Sequence, residues 1–595
     1  MSLFRNLLIE KKRKPYYCEV EYLQSSGTQY IDTGIHEDTT CIINMQATQT
    51  TNTTQVVLGN VLEGTRTKWF GTAGNTNYYT VGGSTGASSI SATTRKECVI
   101  TFTDMYSTTS SSVSFYFKDN PSTVYTRSDT VSGGITLTNI LVGSFASAYP
   151  SYFKLYGLKI YNTNNVLLRD FIPVLDWNYT PCMYDRVSRK LFYNQGTGTF
   201  TYGREIHYVD YLEATGTQYI NTGLLSTANS QVDVEFGFTS MESGATNNCA
   251  IFGGRNNTTT YTFTLFKLAS TNPQKFRFDY NNQVDVATAS QLTWNTASKY
   301  RFQYTGSQHI TTNITTGESV SAQRSPGSSF TSTPIALFAV NTNGTYAQNM
   351  SGRIYKYWYT DGTNTIDLSP AIDENGVGFM FDAVTHTIFD NAGTGNFKYP
   401  PVELTYLVAD GNQYIDTGLQ PTDSFGYKSK NTYTLNGGEQ IAIGCMDAGN
   451  RFVGIYVGGS GANISGGWGS YVGYVISQQG TWDSNTIFEV SCNYKNDRKI
   501  TWNGQDLMDL TDTHISGTIS NSIYLMARHY GTNVTKMSGK FYGAEITNGS
   551  NVIRDFIPCF KDGSAGMYDK ENGVFYGNQG SGSFGTGKVV ESRWE

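Results

Sequence analysis

Nowhere does the chain approach the roughly 18 consecutive apolar residues of a bilayer-spanning helix, so no membrane helix is expected. Charge is scarce too: charged residues are 15% of the total, with 42 Lys and Arg against 48 Asp and Glu for a formal net charge of −6. That balance excludes the basic footprint of a nucleic-acid binder and, outside one N-terminal cluster, a polybasic membrane patch. The eight cysteines, Cys18, Cys41, Cys98, Cys182, Cys249, Cys445, Cys492 and Cys559, show no CxxC spacing, and no Cys/His cluster along the chain suggests zinc. They also fail to recur at matching places in the internal repeat, so unpaired, mostly buried thiols are expected, in a protein made in a reducing cytoplasm. A phosphate-cradling loop is missing as well: Gly458-Gly459-Ser460-Gly461 precedes no helix start and reads as a turn.

What is abundant points one way. There are 42 tyrosines and 62 glycines, and most polarity comes from Thr, Ser, Asn and Gly. Tyr, Thr and Val suit half-buried strands, and Gly and Asn suit the turns between them, so an all-β protein is expected. Strand-like runs at 41–47, 55–58, 98–103, 113–118, 140–144 and 154–161 are separated by Gly, Asn and Ser clusters.

One stretch organises the rest. Gly27-Thr28-Gln29-Tyr30-Ile31-Asp32-Thr33-Gly34 returns as Gly216-Thr217-Gln218-Tyr219-Ile220-Asn221-Thr222-Gly223 and as Gly411-Asn412-Gln413-Tyr414-Ile415-Asp416-Thr417-Gly418. Each copy follows an aromatic-Leu pair, and the tyrosines lie 189 and then 195 residues apart. A period of that length is a whole domain repeated, far above the roughly 20–50 residues of a solenoid unit. The expected organisation is an N-terminal peptide 1–15, repeats at 16–203, 204–400 and 401–588, and a tail 589–595.

A second signature closes the first copy: Leu168-Arg169-Asp170-Phe171-Ile172-Pro173, Met183-Tyr184-Asp185, and Asn194-Gln195-Gly196-Thr197-Gly198-Thr199-Phe200. The third copy matches it, and the middle copy is degraded. Both signatures read as structural: Tyr30, Tyr219 and Tyr414 as inward aromatics, and Asp32, Asn221 and Asp416 as Asx residues bonding the backbone of a turn that a glycine completes. The opening and closing strands of each copy are expected to be neighbours, and Arg169-Asp170 and Arg554-Asp555 to pair near the surface. The stretches 204–207 and 399–402 read as short links that hold the repeats close.

Residues 1–14 stand outside the repeat. Phe4, Leu7 and Leu8 fall on one face of a short helix, followed by Lys11, Lys12 and Arg13, with Pro15 ending it. The expectation is a docking peptide that orders on binding, not a secretory signal, since Arg5 and Asn6 interrupt its apolar residues.

The Tyr-Leu…Gly-Thr-Gln-Tyr-Ile-Asp-Thr-Gly opening and the Arg-Asp-Phe-Ile-Pro…Asn-Gln-Gly-Thr-Gly-Thr-Phe ending resemble concanavalin A-like lectin/glucanase (laminin-G-like) modules of gut bacteria and the structural proteins of their phages. The resemblance covers nearly the whole chain after Pro15. It implies three tandem jelly-roll β-sandwiches, a tendency to bind glycans or proteins, and room for a calcium ion for which no ligands are nominated. Some members hydrolyse glycans with two carboxylates about 5–9.5 Å apart, carried on a Glu-x-Asp-x-(x)-Glu run. The nearest run here, Asp233-Val234-Glu235, lacks a third acid, so no enzyme is expected. Candidate glycan platforms are Trp468 and Trp482. Trp177 and Trp69 are weaker candidates.

The function expected from these readings is a non-enzymatic surface protein of a bacteriophage virion, made in the host cytoplasm: a head or tail fibre, or a capsid decoration. Its partners would be other virion proteins, further copies of itself (a trimer by analogy) and a host-surface glycan or protein, with no nucleic acid and no membrane. A bacterial surface adhesin or carbohydrate-binding protein is the alternative. The degraded middle copy would be a spacer between two binding copies.

Overall fold

The computed structural model describes residues 14–592 except 37–40, 52–54, 62–66, 74–75, 83, 89–94, 104–110, 130–138, 144–150, 241–248, 258–260, 269–274, 281–282, 288–291, 293, 327–329, 423, 435–437, 448–450, 459–462, 471–473, 478–483, 494–498, 503–504, 510–518 and 532. The docking residues Phe4, Leu7, Leu8, Lys11, Lys12 and Arg13 therefore lie outside the described residues, as does Trp482. The fold is all-β: strands and turns account for every described element. Alternation explains why. In Cys41–Gln49, Cys41, Ile43 and Met45 are buried, and in Lys299–Tyr304 every second residue is, so one face enters a core and the other meets solvent.

Each repeat contributes two sheets. The smaller one has the same strand order three times, seen in the second repeat as Ile220–Asn221, Ala336–Leu337, Cys249–Arg255, Thr262–Leu268, Lys275–Tyr280 and Gln283–Ala287. The larger sheet of that repeat centres on Gln231–Phe238, flanked by Lys299–Tyr304 and Ser351–Thr360. The third repeat repeats this with Phe425–Asn431, Phe488–Asn493 and Ser538–Asn548, and the first with Cys41–Gln49, Lys96–Thr103 and Phe153–Asn162. Apolar side chains of the two sheets meet face to face: Ile31, Leu58 and Ile140 of one sheet share a core with Ile43, Ile100 and Phe115 of the other. All seven cysteines whose side chains are described are free thiols.

The two signatures tie each sandwich shut, and the glutamine is the pin. Gln29, Gln218 and Gln413 are buried. Their Oε1 accepts from the backbone N–H of Ser26, Thr215 and Asp410 at 2.9, 2.8 and 2.9 Å. Their Nε2 donates to the carbonyls of Thr199, Asn396 and Ser583 in the closing segment at 3.3, 2.9 and 3.2 Å. Asn194, Asn391 and Asn578 of that segment accept in return from the N–H of Tyr30, Tyr219 and Tyr414. Gly196, Gly393 and Gly580 sit so tightly on the opening loop that an added Cβ would lie 1.9–2.1 Å from a carbonyl oxygen. Opening and closing strands are neighbours, with Leu23 opposite Tyr202 and Leu407 opposite Thr586.

Two local readings change. Ile31, Ile220 and Ile415 face the core, whereas Tyr30, Tyr219 and Tyr414 are half-buried on the opposite side. Adjacent strand residues cannot both point inward, and the branched aliphatic side chain takes the inner place. Likewise Arg169 and Arg554 reach not their neighbours but the buried Asp185 and Asp569, at 3.6 and 3.2 Å, while Asp170 and Asp555 pair with Arg186 and Lys570 at 3.1 and 2.8 Å. Asp32, Asn221 and Asp416 each accept from the glycine N–H two residues on, as an Asx turn requires.

The repeats interlock. Residues 205–207 of the first link belong to a strand, Glu205–Tyr208, that pairs with Cys18–Val20 on one side and Thr365–Ile372 on the other, making one sheet continuous across the first two repeats. Arg95 reaches across to the carbonyl of His386 at 2.9 Å, and Arg204 forks onto Asp390 at 2.7 and 2.9 Å. The second and third repeats share a core through Phe397, Tyr399, Leu404 and Phe560. The Tyr399 hydroxyl donates to Gly376 of one repeat and accepts from Gly563 of the other. The C-terminal segment then returns to the first repeat, where the Tyr17 hydroxyl donates to the Val589 carbonyl at 2.7 Å.

Candidate functional site

The outward faces of the larger sheets carry the chemistry that the core does not use. In the second repeat this face holds a cleft of about 480 Å³ lined by Gln231, Asp233, Arg301, Gln303, Lys356 and Trp358, among others. The strand Ser351–Thr360 builds it. Tyr357 and Tyr359 are buried, so Trp358 between them points outward and is partly buried. The ladder sets Asp233 opposite Trp358 on one side and opposite Gln303 on the other, so indole, carboxylate and amide lie in one row.

The polar groups of this row are held in place. Arg301 forks onto Asp233, with Nε donating to Oδ1 at 2.8 Å and the second guanidinium nitrogen reaching Oδ2. The same Oδ2 accepts from Gln303 Nε2 at 3.1 Å. The carboxylate holds the guanidinium firmly in its charged form, raising its pKa. Lys356 pairs with Asp367 at 3.1 Å, half-exposed. A flat apolar ring bordered by amides, a carboxylate and a guanidinium suits a ligand with one apolar face and a rim of hydroxyls.

The equivalent face of the third repeat has a cleft of about 470 Å³ lined by Lys428, Lys430, Glu489, Tyr542, Glu545 and Asp555, among others. Its charges are spent on exposed pairs, Lys428 to Glu545 at 2.9 Å and Lys430 to Glu489 at 2.6 Å. Register makes Glu545 the counterpart of Trp358, because each lies three residues past the tyrosine at the strand's bulge, Tyr542 or Tyr355. In the first repeat the bulge leaves out Tyr156, and Lys159 takes the third place after it. There the face is covered: the turn bearing His386 packs on Gly157, and Arg95 stacks 3.8 Å over the Tyr156 ring.

The bulge tyrosine recurs with a partner. Tyr22–Tyr156, Tyr211–Tyr355 and Tyr406–Tyr542 meet edge-on at 5.5, 5.6 and 5.5 Å. A cation lies over the first ring of each pair: Lys154 at 4.1 Å, Arg353 at 4.4 Å and Lys540 at 4.7 Å. This trio has one geometry in all three repeats, so it belongs to the sandwich rather than to a ligand.

Trp468, expected as a glycan platform, lies in the strand Asn463–Ser470, and its side chain is outside the described residues. Trp177 donates its Nε1–H to the Lys14 carbonyl at 3.0 Å and packs on Tyr17, a structural role. Trp358 was legible in principle: it sits in the polar phase between two inward tyrosines, an aromatic where the other copies carry Lys159 and Glu545.

No protein-family model matches the sequence, and no curated protein matches it. Among solved structures the chain is similar to the LG1-3 region of the laminin alpha2 chain, at 10% identity over 95% of this chain and 100% of that one, TM-score 0.28. It is also similar to domains LG4-5 of the mouse laminin alpha1 chain, at 11% identity over 63% and 97%, TM-score 0.21. A mutant of Trypanosoma rangeli sialidase displaying trans-sialidase activity aligns at 10% identity over 91% and 95%, TM-score 0.19.

Proposed function

We propose that this chain is a non-enzymatic glycan-binding protein and that the cleft around Trp358 in the second repeat is its binding face. The single observation behind this reading is the row Trp358–Asp233–Gln303 with Arg301 locked beside it, an apolar platform with fixed hydrogen-bonding groups on an open sheet face. Asp233 and Glu235, the nearest acidic pair, are each held by a cation, Arg301 and Lys299. They therefore serve as acceptors for ligand hydroxyls rather than as a proton-sharing catalytic pair. The middle repeat, degraded in the closing signature, is the binding repeat rather than a spacer.

The wider proposal places the chain on a bacteriophage virion surface, as a fibre or decoration, anchored by residues 1–15 and assembled as a homo-oligomer with other virion proteins. It rests on the apolar then basic pattern of Phe4, Leu7, Leu8, Lys11, Lys12 and Arg13. A bacterial surface adhesin using the same cleft is the alternative. Full-length protein and Trp358→Ala are compared on a glycan array, with dissociation constants measured for each hit. Loss of one base-stacking-sized contact, about 1–3 kcal/mol, predicts at least a fivefold weaker affinity, partly restored in Trp358→Phe. Unchanged affinity in Trp358→Ala, or no glycan bound by the full-length protein, refutes the reading. Co-sedimentation with purified phage particles, with and without residues 1–14, separates the virion placement from the adhesin.

A further inference from the structure

The strands Cys18–Val20 and Glu205–Tyr208 run antiparallel with Glu19 opposite Ile206 and Val20 opposite Glu205. One further step along this ladder brings Cys18 opposite His207. These two are the same position of the repeat, each four residues before the tyrosine of the Tyr-Leu pair, so a local twofold relation between the repeats passes between them. Side chains two apart on a strand share a face, and Glu205 and His207 therefore join Cys18 on one side of the ladder. The Cys18 Sγ, a Glu205 carboxylate oxygen and a His207 ring nitrogen all lie within 4.8 Å of one another, and all three side chains are buried.

Both ring nitrogens of His207 have carboxylate partners. Nε2 lies 3.1 Å from Glu205 Oε2, and Nδ1 lies 2.7 Å from Glu591 Oε1. The other Glu205 oxygen is held by Lys588, and the other Glu591 oxygen by Lys14 at 3.2 Å. A histidine that binds a metal ordinarily gives its second N–H to a carboxylate, which fixes the tautomer and the ring plane. Glu591 stands in that place, on the tail that returns from the third repeat.

We propose that Cys18, Glu205 and His207 bind a divalent transition-metal ion of the zinc class. Thiolate, imidazole and carboxylate together suit zinc, whereas calcium and magnesium take oxygen ligands. Zinc bonds of about 2.0–2.3 Å at a tetrahedral centre set donor atoms roughly 3.3–3.8 Å apart, a spacing this cluster reaches with small side-chain shifts. The bonds formed are metal–Sγ, metal–Oε2 and metal–Nε2. The thiol proton of Cys18 and any proton on Nε2 leave to solvent, and the fourth position falls to a small ligand such as water. The ion ties the first strand of repeat one to the opening strand of repeat two, with the C-terminal segment bracing the histidine.

The test uses the full chain, stripped with a chelator and titrated at neutral pH with zinc(II), with cobalt(II) as a spectroscopic substitute, and with magnesium and calcium. The expected result is one zinc per chain retained through desalting, a thiolate-to-cobalt absorption band, a raised Tm, and no Tm response to magnesium or calcium. Cys18→Ser, nearly isosteric and checked for native circular dichroism, should lose the cobalt–thiolate band and weaken zinc at least tenfold. His207→Gln should do the same. If His207→Gln fails to fold, Cys18→Ser decides alone. No retained zinc, or retention with unchanged affinity and spectrum in Cys18→Ser, overturns the proposal and leaves the cluster as a histidine bridging two carboxylates.

Discussion

Replacing Gln413 by Leu tests whether the recurrent signature is a structural pin. Gln413 is 1% exposed, accepts from the Asp410 N–H at 2.9 Å and donates to the Ser583 carbonyl at 3.2 Å. Leucine fills similar volume but bonds neither group. Two part-buried hydrogen bonds to the backbone are lost, at about 0.5–1.5 kcal/mol each, so the third repeat should lose about 1–3 kcal/mol. That is a large share of the roughly 5–15 kcal/mol that holds a domain folded. Because the repeats share cores and a sheet, the readout is urea unfolding of the whole chain combined with amide hydrogen exchange over 578–584. Protection there should fall by at least about fivefold, before the first repeat changes. Gln420→Leu is the control: Gln420 is exposed and bonds the Ser520 carbonyl at 2.8 Å, so its loss should stay within about 0.5 kcal/mol. If Gln413→Leu and Gln420→Leu differ by less than that, the pin is not what closes the sandwich.

Gly580→Ala should cost about 3 kcal/mol and exceed Gly582→Ala in the same urea assay, because its Cβ would meet the Asn412 carbonyl at 1.9 Å, whereas the Gly582 Cβ comes no closer than 3.3 Å and bears only the strain of φ +72°. His386 predicts a pH dependence at the contact of the first two repeats. Burial, with Arg186, Arg95 and Lys159 nearby, lowers its pKa to about 3, and Glu19 faces it at 4.0 Å. A folded pKa below the unfolded value of about 6.5 means the folded state binds fewer protons, so stability present above pH 6.5 is lost as pH falls toward 3, by up to about 1.4 kcal/mol per unit. Glu19, pushed up by burial, works in the opposite sense above the ordinary carboxylate range. The wild-type minus His386→Phe difference in Tm between pH 7 and 5 isolates the histidine, and a difference that does not change with pH refutes the assignment.

The fold was legible because its cues are local. Alternation in 41–47 and 154–161 marks strands, and the Asx turns at Asp32, Asn221 and Asp416 follow from residue type alone. Which of two adjacent residues faces inward was harder, since Tyr and Ile both suit a core, and packing chose Ile31, Ile220 and Ile415. The pairing of Arg169 with Asp185 rather than Asp170 depends on hairpin register, which sequence neighbours do not reveal. Cys18, Glu205, His207 and Glu591 span almost the whole chain, and only the ladder between repeats and the returning tail bring them together. No spacing rule finds a site assembled that way.

The three copies share what the sandwich needs and differ where the sheet meets its surroundings. The glutamine pin, the closing glycines and the tyrosine pair with its cation hold one geometry throughout. At the outward position three residues past the bulge tyrosine stand Lys159, Trp358 and Glu545 in turn. These positions face outward in all three repeats, and their surroundings differ. In the first repeat the face is an interface, with Arg95 donating to a carbonyl of the second. In the third, exposed ion pairs worth little to stability keep the face soluble. In the second, a partly buried indole lies beside a carboxylate–guanidinium fork. On the proposed reading a ligand makes that exposure useful, and the binding repeat is then the one whose closing signature drifted furthest.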